Sequence, residues 1–285
     1  MASQSIETIH TIAGLRERVR QWRTAGERVA LVPTMGALHV GHVALMTAAK
    51  RDADRIIVSI FVNPTQFAPT EDLSRYPRTL EADLEKADAA GVDVAFVPDV
   101  AEMYPDDFAT TISLTGPALA LETDFRPTHF AGVATVVNKL LGQATPDFAY
   151  FGEKDFQQLK VVTRMARDLD LPVRIVGVPT VRETDGLALS SRNVYLTSAD
   201  RSAAPALHQA LTAAANAITA GSDIQSSVDT ARRTVLEAGF ALDYLEARHA
   251  ETLAPIASAA EGPIRLLVAA KIGATRLIDN VGVPN

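Results

Sequence analysis

The sequence predicts an α/β protein: a doubly wound parallel sheet followed by a smaller α+β domain. Three observations carry this. Short apolar, β-branched runs alternate with helix-compatible segments through the first 180 residues. The runs are hydrophobic throughout instead of alternating, as strands buried on both faces of a parallel sheet are. Beyond residue 180 the order changes to helices followed by strand-like pieces.

The expected parallel strands are VALVP (29–33), RIIVSIFV (55–62), VDVAFVP (92–98), DFAYFG (147–152) and VRIVGVP (173–179). The expected helices lie near 13–24, 42–52, 79–90, 130–142 and 155–169. In the C-terminal part, Thr197 and Asp200 have the spacing of a capping box that opens a long Ala-rich helix to about residue 220. A second helix is expected at 223–238, then strands at 240–249, 264–272 and 275–283. The Pro179 turn marks the boundary, giving domains 1–180 and 181–285.

The bulk composition excludes several function classes. Of 285 residues 47% are hydrophobic and 21% charged, an ordinary globular balance with enough apolar material for a sizeable core. There is no cysteine, which removes disulfides, thiolate nucleophiles and cysteine-held zinc and fits a reducing compartment. The formal charge is −7 and no long basic block occurs, so nucleic acid is a poor default partner. The start, MASQSIETIH, lacks the blocks of a signal peptide, and no run approaches the ~18 apolar residues of a membrane span.

The polar motifs fall at the carboxyl ends of the expected strands, where open parallel sheets bind ligands. PTMGALHVGH follows the first of these strands. Its glycines, Gly36 and Gly41, allow a large anion close to the backbone, and Gly41-His42 opens a helix whose free N–H groups and dipole attract anions. Three residues apart, His39 and His42 can lie on one side and donate to phosphate oxygens. They can equally be packed or capping residues, or half of a metal site for which the other histidines show no ligand spacing. Lys154 in FGEKD, with Asp155 beside it, sits where a point charge can meet phosphate, or else in a solvated turn. Ser190, Ser191 and Arg192 in LSSRN suit a polyphosphate clamp, or a surface loop with a helix cap. Gln66 and Gln158 can donate and accept, as a substrate with hydroxyl and carboxylate groups requires. Neither the Gly-x-Gly-x-x-Gly fingerprint nor a P-loop is present, so an anion cradle built from histidines points to adenylyl or nucleotidyl transfer.

PTMGALHVGH, SIFVNPTQF, YPRT, RPTHFAGV, FGEKDFQQL and VPTVRETDGLALSSRN occur in this order across residues 33–193. This set resembles the pantoate–β-alanine ligase family, whose fold is Rossmann-like, of nucleotidyltransferase type. The resemblance implies a two-step reaction: ATP and pantoate give pantoyl adenylate and pyrophosphate, then β-alanine displaces AMP. It places ATP against Met35, Gly36, Ala37, Leu38, His39, Val40, Gly41 and His42, with His39 and His42 at the phosphates and His42 as proton donor. It places ATP also against Gly152, Glu153, Lys154 and Asp155, against Val181, and against a mobile loop of Leu189, Ser190, Ser191 and Arg192. His42, His39, Lys154 and Arg192 are the implied catalytic set, and Gln66 and Gln158 the implied pantoate ligands, with Gln66 also near β-alanine. It implies Mg²⁺, held mainly by ATP phosphates and water with no assignable protein ligands. It implies a cytoplasmic homodimer with a small C-terminal lid. Leu189 stands where relatives usually carry methionine, a nearly volume-conserving exchange, and Thr184 where many have alanine. Two other readings share part of the motif set: a plain nucleotidyltransferase, and a nucleotide-binding regulatory module without turnover.

Overall fold

A computed structural model describes residues 6–67, 73–74 and 76–284. The leader reading rests partly on residues 1–5, which lie outside this set. The chain divides into two compact units. One holds residues up to Leu114, Arg126–Glu153 and Val161–Pro179; the other holds Thr115–Phe125, Lys154–Lys160 and Thr180 onward.

The first unit contains β1 (Glu7–Ile9), α1 (Ile12–Thr24), β2 (Val29–Thr34), α2 (Val40–Asp52), β3 (Arg55–Ile60), α3 (Leu80–Ala89), β4 (Val94–Phe96) and α4 (Val100–Met103). After α5 (Glu122–Phe125), which belongs to the second unit, come α6 (His129–Ala144), β5 (Phe148–Gly152), α7 (Phe156–Asp168) and β6 (Arg174–Val178). The first turn of α7 clusters with the second unit and the rest with the first. The strands form one parallel sheet in the order β1-β4-β3-β2-β5-β6. The order reverses between β2 and β5, so their carboxyl ends flank a topological switch point, the place where such sheets leave a crevice.

Ala30, Val32, Met46, Ala49, Ile56, Val58 and Tyr150 fill the layer between α2 and the sheet. On α6, Phe130, Val133, Val136, Val137, Leu140 and Leu141 are all buried. Each large apolar side chain so buried contributes about 1.5–3 kcal/mol. The unexpected β1 is a three-residue edge strand paired only with β4, and its polar surroundings give no apolar run to read. Helix α2 starts two residues before the expected position, because His39 caps it.

The second unit contains α8 (Ser198–Ala203), α9 (Ala206–Thr219), α10 (Ile224–Glu237), β7 (Ala241–His249), β8 (Ile264–Ile272) and β9 (Thr275–Gly282). Thr197 does cap α8, accepting from Asp200 N–H at 3.2 Å. The Ala-rich stretch is nonetheless two helices, since Pro205 has no N–H to continue the first. The three strands form an antiparallel meander. The run IRLLVAAKI is apolar without alternation because both its faces are covered. Leu266 and Val268 pack with Leu211 of α9 and Val228 and Val235 of α10. Leu267 and Ala269 pack on the opposite face with Leu121 and Phe156.

That second face holds a buried polar network. The Glu122 carboxylate accepts from Arg276 Nη1 and Nη2, both at 2.8 Å, and from the Tyr244 hydroxyl at 2.9 Å. Arg276 Nε donates to Asp243 at 2.7 Å. The register shifts between Leu242 and Tyr244, and this bulge lets the consecutive Asp243 and Tyr244 side chains serve one network. Burial, then the Glu122 charge, pushes the Tyr244 hydroxyl far above the usual phenol range, so it stays a donor. Removing one member of such a network strands a buried charge. Arg276→Met is expected to cost about 3–5 kcal/mol, against about 1 kcal/mol for Tyr244→Phe, in urea denaturation at pH 7.

Candidate active site

Strand β2 ends in a turn that cannot hold itself. Gly36 has φ +82° and Ala37, with its Cβ, φ +50°, a conformation that costs a non-glycine residue about 1–2 kcal/mol. The Asp83 carboxylate on α3, only 1% exposed, offsets this. It accepts from Ala37 N–H at 2.9 Å, Leu38 N–H at 2.7 Å and the Thr79 hydroxyl at 3.1 Å. Lys86 Nζ donates to the Leu38 carbonyl at 2.8 Å. Thr34 ties the start of the turn to β3, donating to the Ser59 carbonyl at 2.7 Å.

The two histidines close the turn onto α2. His39 is the N-cap, and its Nδ1 accepts from Gly41 N–H at 3.1 Å. His42 Nδ1 accepts from His39 N–H at 3.2 Å, and the ring centroids lie 4.1 Å apart. This is a capping box built of imidazoles in place of the usual Ser and Glu pair. Capping and anion binding, read as alternatives from sequence, are compatible. With Nδ1 of each ring accepting, each neutral ring carries its proton on Nε2, the nitrogen remote from the backbone. A Cβ on Gly41 would lie 2.8 Å from His39 Cε1, so glycine is what lets the ring cover the helix start. Val40 is 64% exposed and its side chain meets no such demand.

Beside this, at the end of β3, NPTQF forms a second buried cluster. Asn63, 1% exposed, donates to Gln66 Oε1 at 2.9 Å and accepts from Tyr104 OH at 2.9 Å and the Thr65 hydroxyl at 3.0 Å. The Gln66 carbonyl accepts from Arg126 Nη2 at 3.2 Å and His129 Nδ1 at 3.0 Å. A Cβ on Gly132 would stand 2.3 Å from the Thr65 carbonyl oxygen, so α6 reaches this turn only through a glycine. Burial pushes the Tyr104 hydroxyl up, which keeps it protonated as a donor. Sequence reasoning selected Gln66 here and missed Asn63, Tyr104, Arg126 and His129. Asn63, Arg126 and His129 lie inside the quoted motifs; Asp83 sits in LEADLEKADA, which reads as an exposed charged helix.

In the second unit, Lys154 occupies a 3₁₀ turn (Glu153–Asp155) that follows Gly152 at the end of β5 and leads into α7. Its Nζ lies 3.9 Å from Asp155 Oδ2. The two glutamines that follow differ. Gln157 is buried and structural, donating to Pro117 and Ala120 carbonyls and accepting from Glu122 N–H, whereas Gln158 is half-buried. Residues 181–189 form a small hairpin arm, with Leu189 N–H donating to the Val181 carbonyl at 3.0 Å and Gly186 at φ +94° in its turn. Ser190 caps the 3₁₀ turn Ser191–Tyr195, its Oγ accepting from Arg192 N–H at 3.2 Å. Among the described residues no group of three His, Cys, Asp or Glu side chains could hold a metal ion, so they offer no cage for Mg²⁺.

A parallel sheet whose order reverses beside a helix opened by His-x-Gly-His defines a fold of the nucleotidyltransferase type. Comparison with known proteins narrows this. Residues 7–282 match the family model described as pantoate-beta-alanine ligase. The chain is 59% identical over 274 residues to pantothenate synthetase of Nitrobacter hamburgensis, covering 96% of this chain and 97% of that one. It is 59% identical over 282 residues to pantothenate synthetase of Rhodopseudomonas palustris, covering 99% and 100%. Among solved structures, pantothenate synthetase from Thermus thermophilus superimposes with a TM-score of 0.93 at 47% identity, over 98% of this chain and 99% of that one. The ligase from Francisella tularensis, complexed with β-γ ATP and β-alanine, superimposes with a TM-score of 0.82 at 34% identity, over 97% of each chain. The chain belongs to the pantoate–β-alanine ligase family.

Asp83→Ala releases two turn amides and the strained Ala37. It is expected to cost about 2–4 kcal/mol in urea denaturation, and to speed amide hydrogen exchange at Ala37 and Leu38 more than in the α2 interior. Long-range ¹⁵N–¹H spectra at pH 8 are expected to show His39 and His42 both protonated on Nε2; an Nδ1–H signal from either ring contradicts the imidazole cap.

Proposed function

We propose that the chain joins pantoate to β-alanine at the expense of ATP, using the imidazole cap of α2 as its phosphate-facing hydrogen-bond donor. The carrying observation is the pair of imidazoles with Nδ1 committed to the backbone, which makes Nε2–H the donor of each ring. In the first step a pantoate carboxylate oxygen attacks the α-phosphorus, the bond to the bridging oxygen of the β-phosphate breaks, and pyrophosphate leaves. In the second, the β-alanine amine attacks the acyl carbon, loses a proton, and AMP departs. A carboxylate is a poor electrophile and an acyl adenylate a good one, so the chain's task is to stabilise charge on the phosphates. Fixed donors aimed where that charge grows lower the barrier.

In this reading residues 35–42 line ATP, with His39 and His42 at the phosphates and the His42 Nε2–H donating a hydrogen bond to the charge that grows on the departing pyrophosphate. Lys154 and Arg192 are the two catalytic cations. Gly152, Glu153 and Asp155 form the second ATP segment, Asp155 near the ribose and Val181 near adenine, and Leu189, Ser190 and Ser191 form the phosphate loop. Gln66 and Gln158 hold pantoate. The buried Asn63 fixes the Gln66 amide, so its remaining hydrogen-bonding capacity has a set direction. Mg²⁺ accompanies the nucleotide through its phosphates and water, and no step is assigned to it. Residues 1–180 are proposed as the ATP- and pantoate-binding domain and 181–285 as the lid domain. The enzyme is proposed to act as a cytoplasmic homodimer, which light scattering on a size-exclusion column tests. Among the described residues no helix is long and apolar enough to cross a membrane.

Exchange of labelled pyrophosphate into ATP is expected to require pantoate and not β-alanine. Exchange without pantoate, or a product that retains the nucleotidyl group, overturns the reading. His42→Ala is expected to slow adenylation by roughly 100- to 1,000-fold with a far smaller effect on stability. Gln66→Ala is expected to raise the KM for pantoate while leaving that for ATP nearly unchanged; equal damage to both contradicts the assigned division.

A further inference from the structure

We propose that Asp279 and Asn280, consecutive residues of β9, are positioning residues that hold the two cation-bearing segments of the second unit: the Lys154 turn and the arm that ends in Leu189–Arg192. The inference rests on the reading of Lys154 and Arg192 as ATP ligands and adds the part of the fold that sets them. Neighbours on a strand face opposite sides of a sheet. Here both sides carry a polar anchor, although Asp279 is 5% and Asn280 3% exposed.

On one side, the Asp279 carboxylate takes a bidentate contact from Arg182, Nη1 at 2.7 Å and Nη2 at 2.8 Å. Arg182 sits at the base of the hairpin arm, bridged to Ala188, and its Nη1 also donates to the Gly186 carbonyl at 3.0 Å. The guanidinium therefore ties the turn of the arm to β9 while the backbone bridge closes the arm, and Leu189–Arg192 continue directly from it. His208, with Nδ1 3.7 Å from Asp279, does not compete for the carboxylate. Burial, then the Arg182 charge, holds that imidazole below the usual histidine range and neutral at pH 7.

On the other side, Asn280 Nδ2 donates to the Lys154 carbonyl at 3.0 Å. Its Oδ1 accepts from Arg265 Nε at 2.7 Å, and the Arg265 guanidinium lies over the Phe156 ring, 4.1 Å from its centroid. The amide thus grips the Lys154 turn directly and, through Arg265, the residue that opens α7. The two anchors are joined, since Asn280 N–H donates to Asp279 Oδ1 at 2.7 Å. A strand that served only the core would carry apolar residues here, because buried polar groups cost free energy unless every partner is supplied. TRLIDNVGV, read as a plain strand, gave no hint of this.

The test uses the full-length chain and pantoate-dependent pyrophosphate exchange. Asn280→Asp keeps the acceptor for Arg265 and replaces the donor facing the Lys154 carbonyl with an acceptor. Asp279→Asn removes the charge facing Arg182; if it fails to fold, Arg182→Lys, which keeps the charge and loses the fork, takes its place. Each variant is expected to raise the KM for ATP about tenfold, a modest share of what a small misplacement of a catalytic group can cost. For Asp279→Asn the KM for pantoate is expected to stay within about twofold of the parent value, and for Asn280→Asp, which acts on the turn leading to Gln158, to rise clearly less than that for ATP. The Asn280→Asp effect is expected to vanish in a Lys154→Ala background, and the Asp279→Asn effect in an Arg192→Ala background. Fully additive effects, or equal losses for ATP and pantoate, overturn the proposal in favour of plain structural roles. If Lys154→Ala and Arg192→Ala themselves leave ATP use unchanged, the assignment of those cations fails instead.

Discussion

The amide of His39 donates to His42 and the amide of Gly41 donates to His39, and the start of α2 and the turn before it depend on this reciprocal contact. A helix start leaves amides without intrahelical partners, and something must accept from them. Ser or Asp would do so with a small side chain that is then spent. An imidazole has a second nitrogen on its far edge, so a ring that caps with Nδ1 still presents Nε2–H. The same contact that starts α2 thus fixes the tautomer of both rings. Gly41 is the condition for it, since a Cβ there would occupy the space of the His39 ring.

Around the cap, the loops at the sheet edge are organised by single buried polar side chains that satisfy backbone groups far away in sequence. Asp83 collects the amides of a strained turn 45 residues upstream. Asn63 locks the Gln66 amide and is itself held by Tyr104. In the second unit Gln157 and Asn280 likewise reach backbone carbonyls of other loops, while Glu122 and Asp279 each hold an arginine side chain. Loops at a ligand edge cannot rely on apolar packing alone, because they must leave room for polar substrates. A buried carboxylate or amide with all partners supplied gives them a defined shape. Removing one leaves the others unpaired in a low-dielectric interior.

Much of this fold was legible in the sequence. Strands β2, β3, β4 and β5 announced themselves as mainly apolar runs, because a parallel sheet covered on both faces leaves little polar alternation, and β6 was also expected where it lies although as an edge strand it has no buried residue. Helices α1, α2, α3, α6 and α7 were expected within a few residues of where they lie. The order of motifs along 33–193 was enough to recognise the family. The three-residue β1 and the break at Pro205 were not foreseen. One is too short to form a pattern, and the other turns on a single missing N–H.

The sequence by itself determined the alternation of elements and the glycines at the helix mouth. Such features are local: propensity, periodicity and backbone freedom act over a few residues. Only the tertiary structure decided that the histidines cap with Nδ1, that Asp83 is a buried clamp and not a surface charge, and that Gln157 is structural while Gln158 is half-buried. It also decided that two polar residues near the end of the chain grip segments about 100 and 126 residues away. Those outcomes depend on which partners the fold brings within hydrogen-bond reach, and a side chain's chemistry does not state whom it will meet.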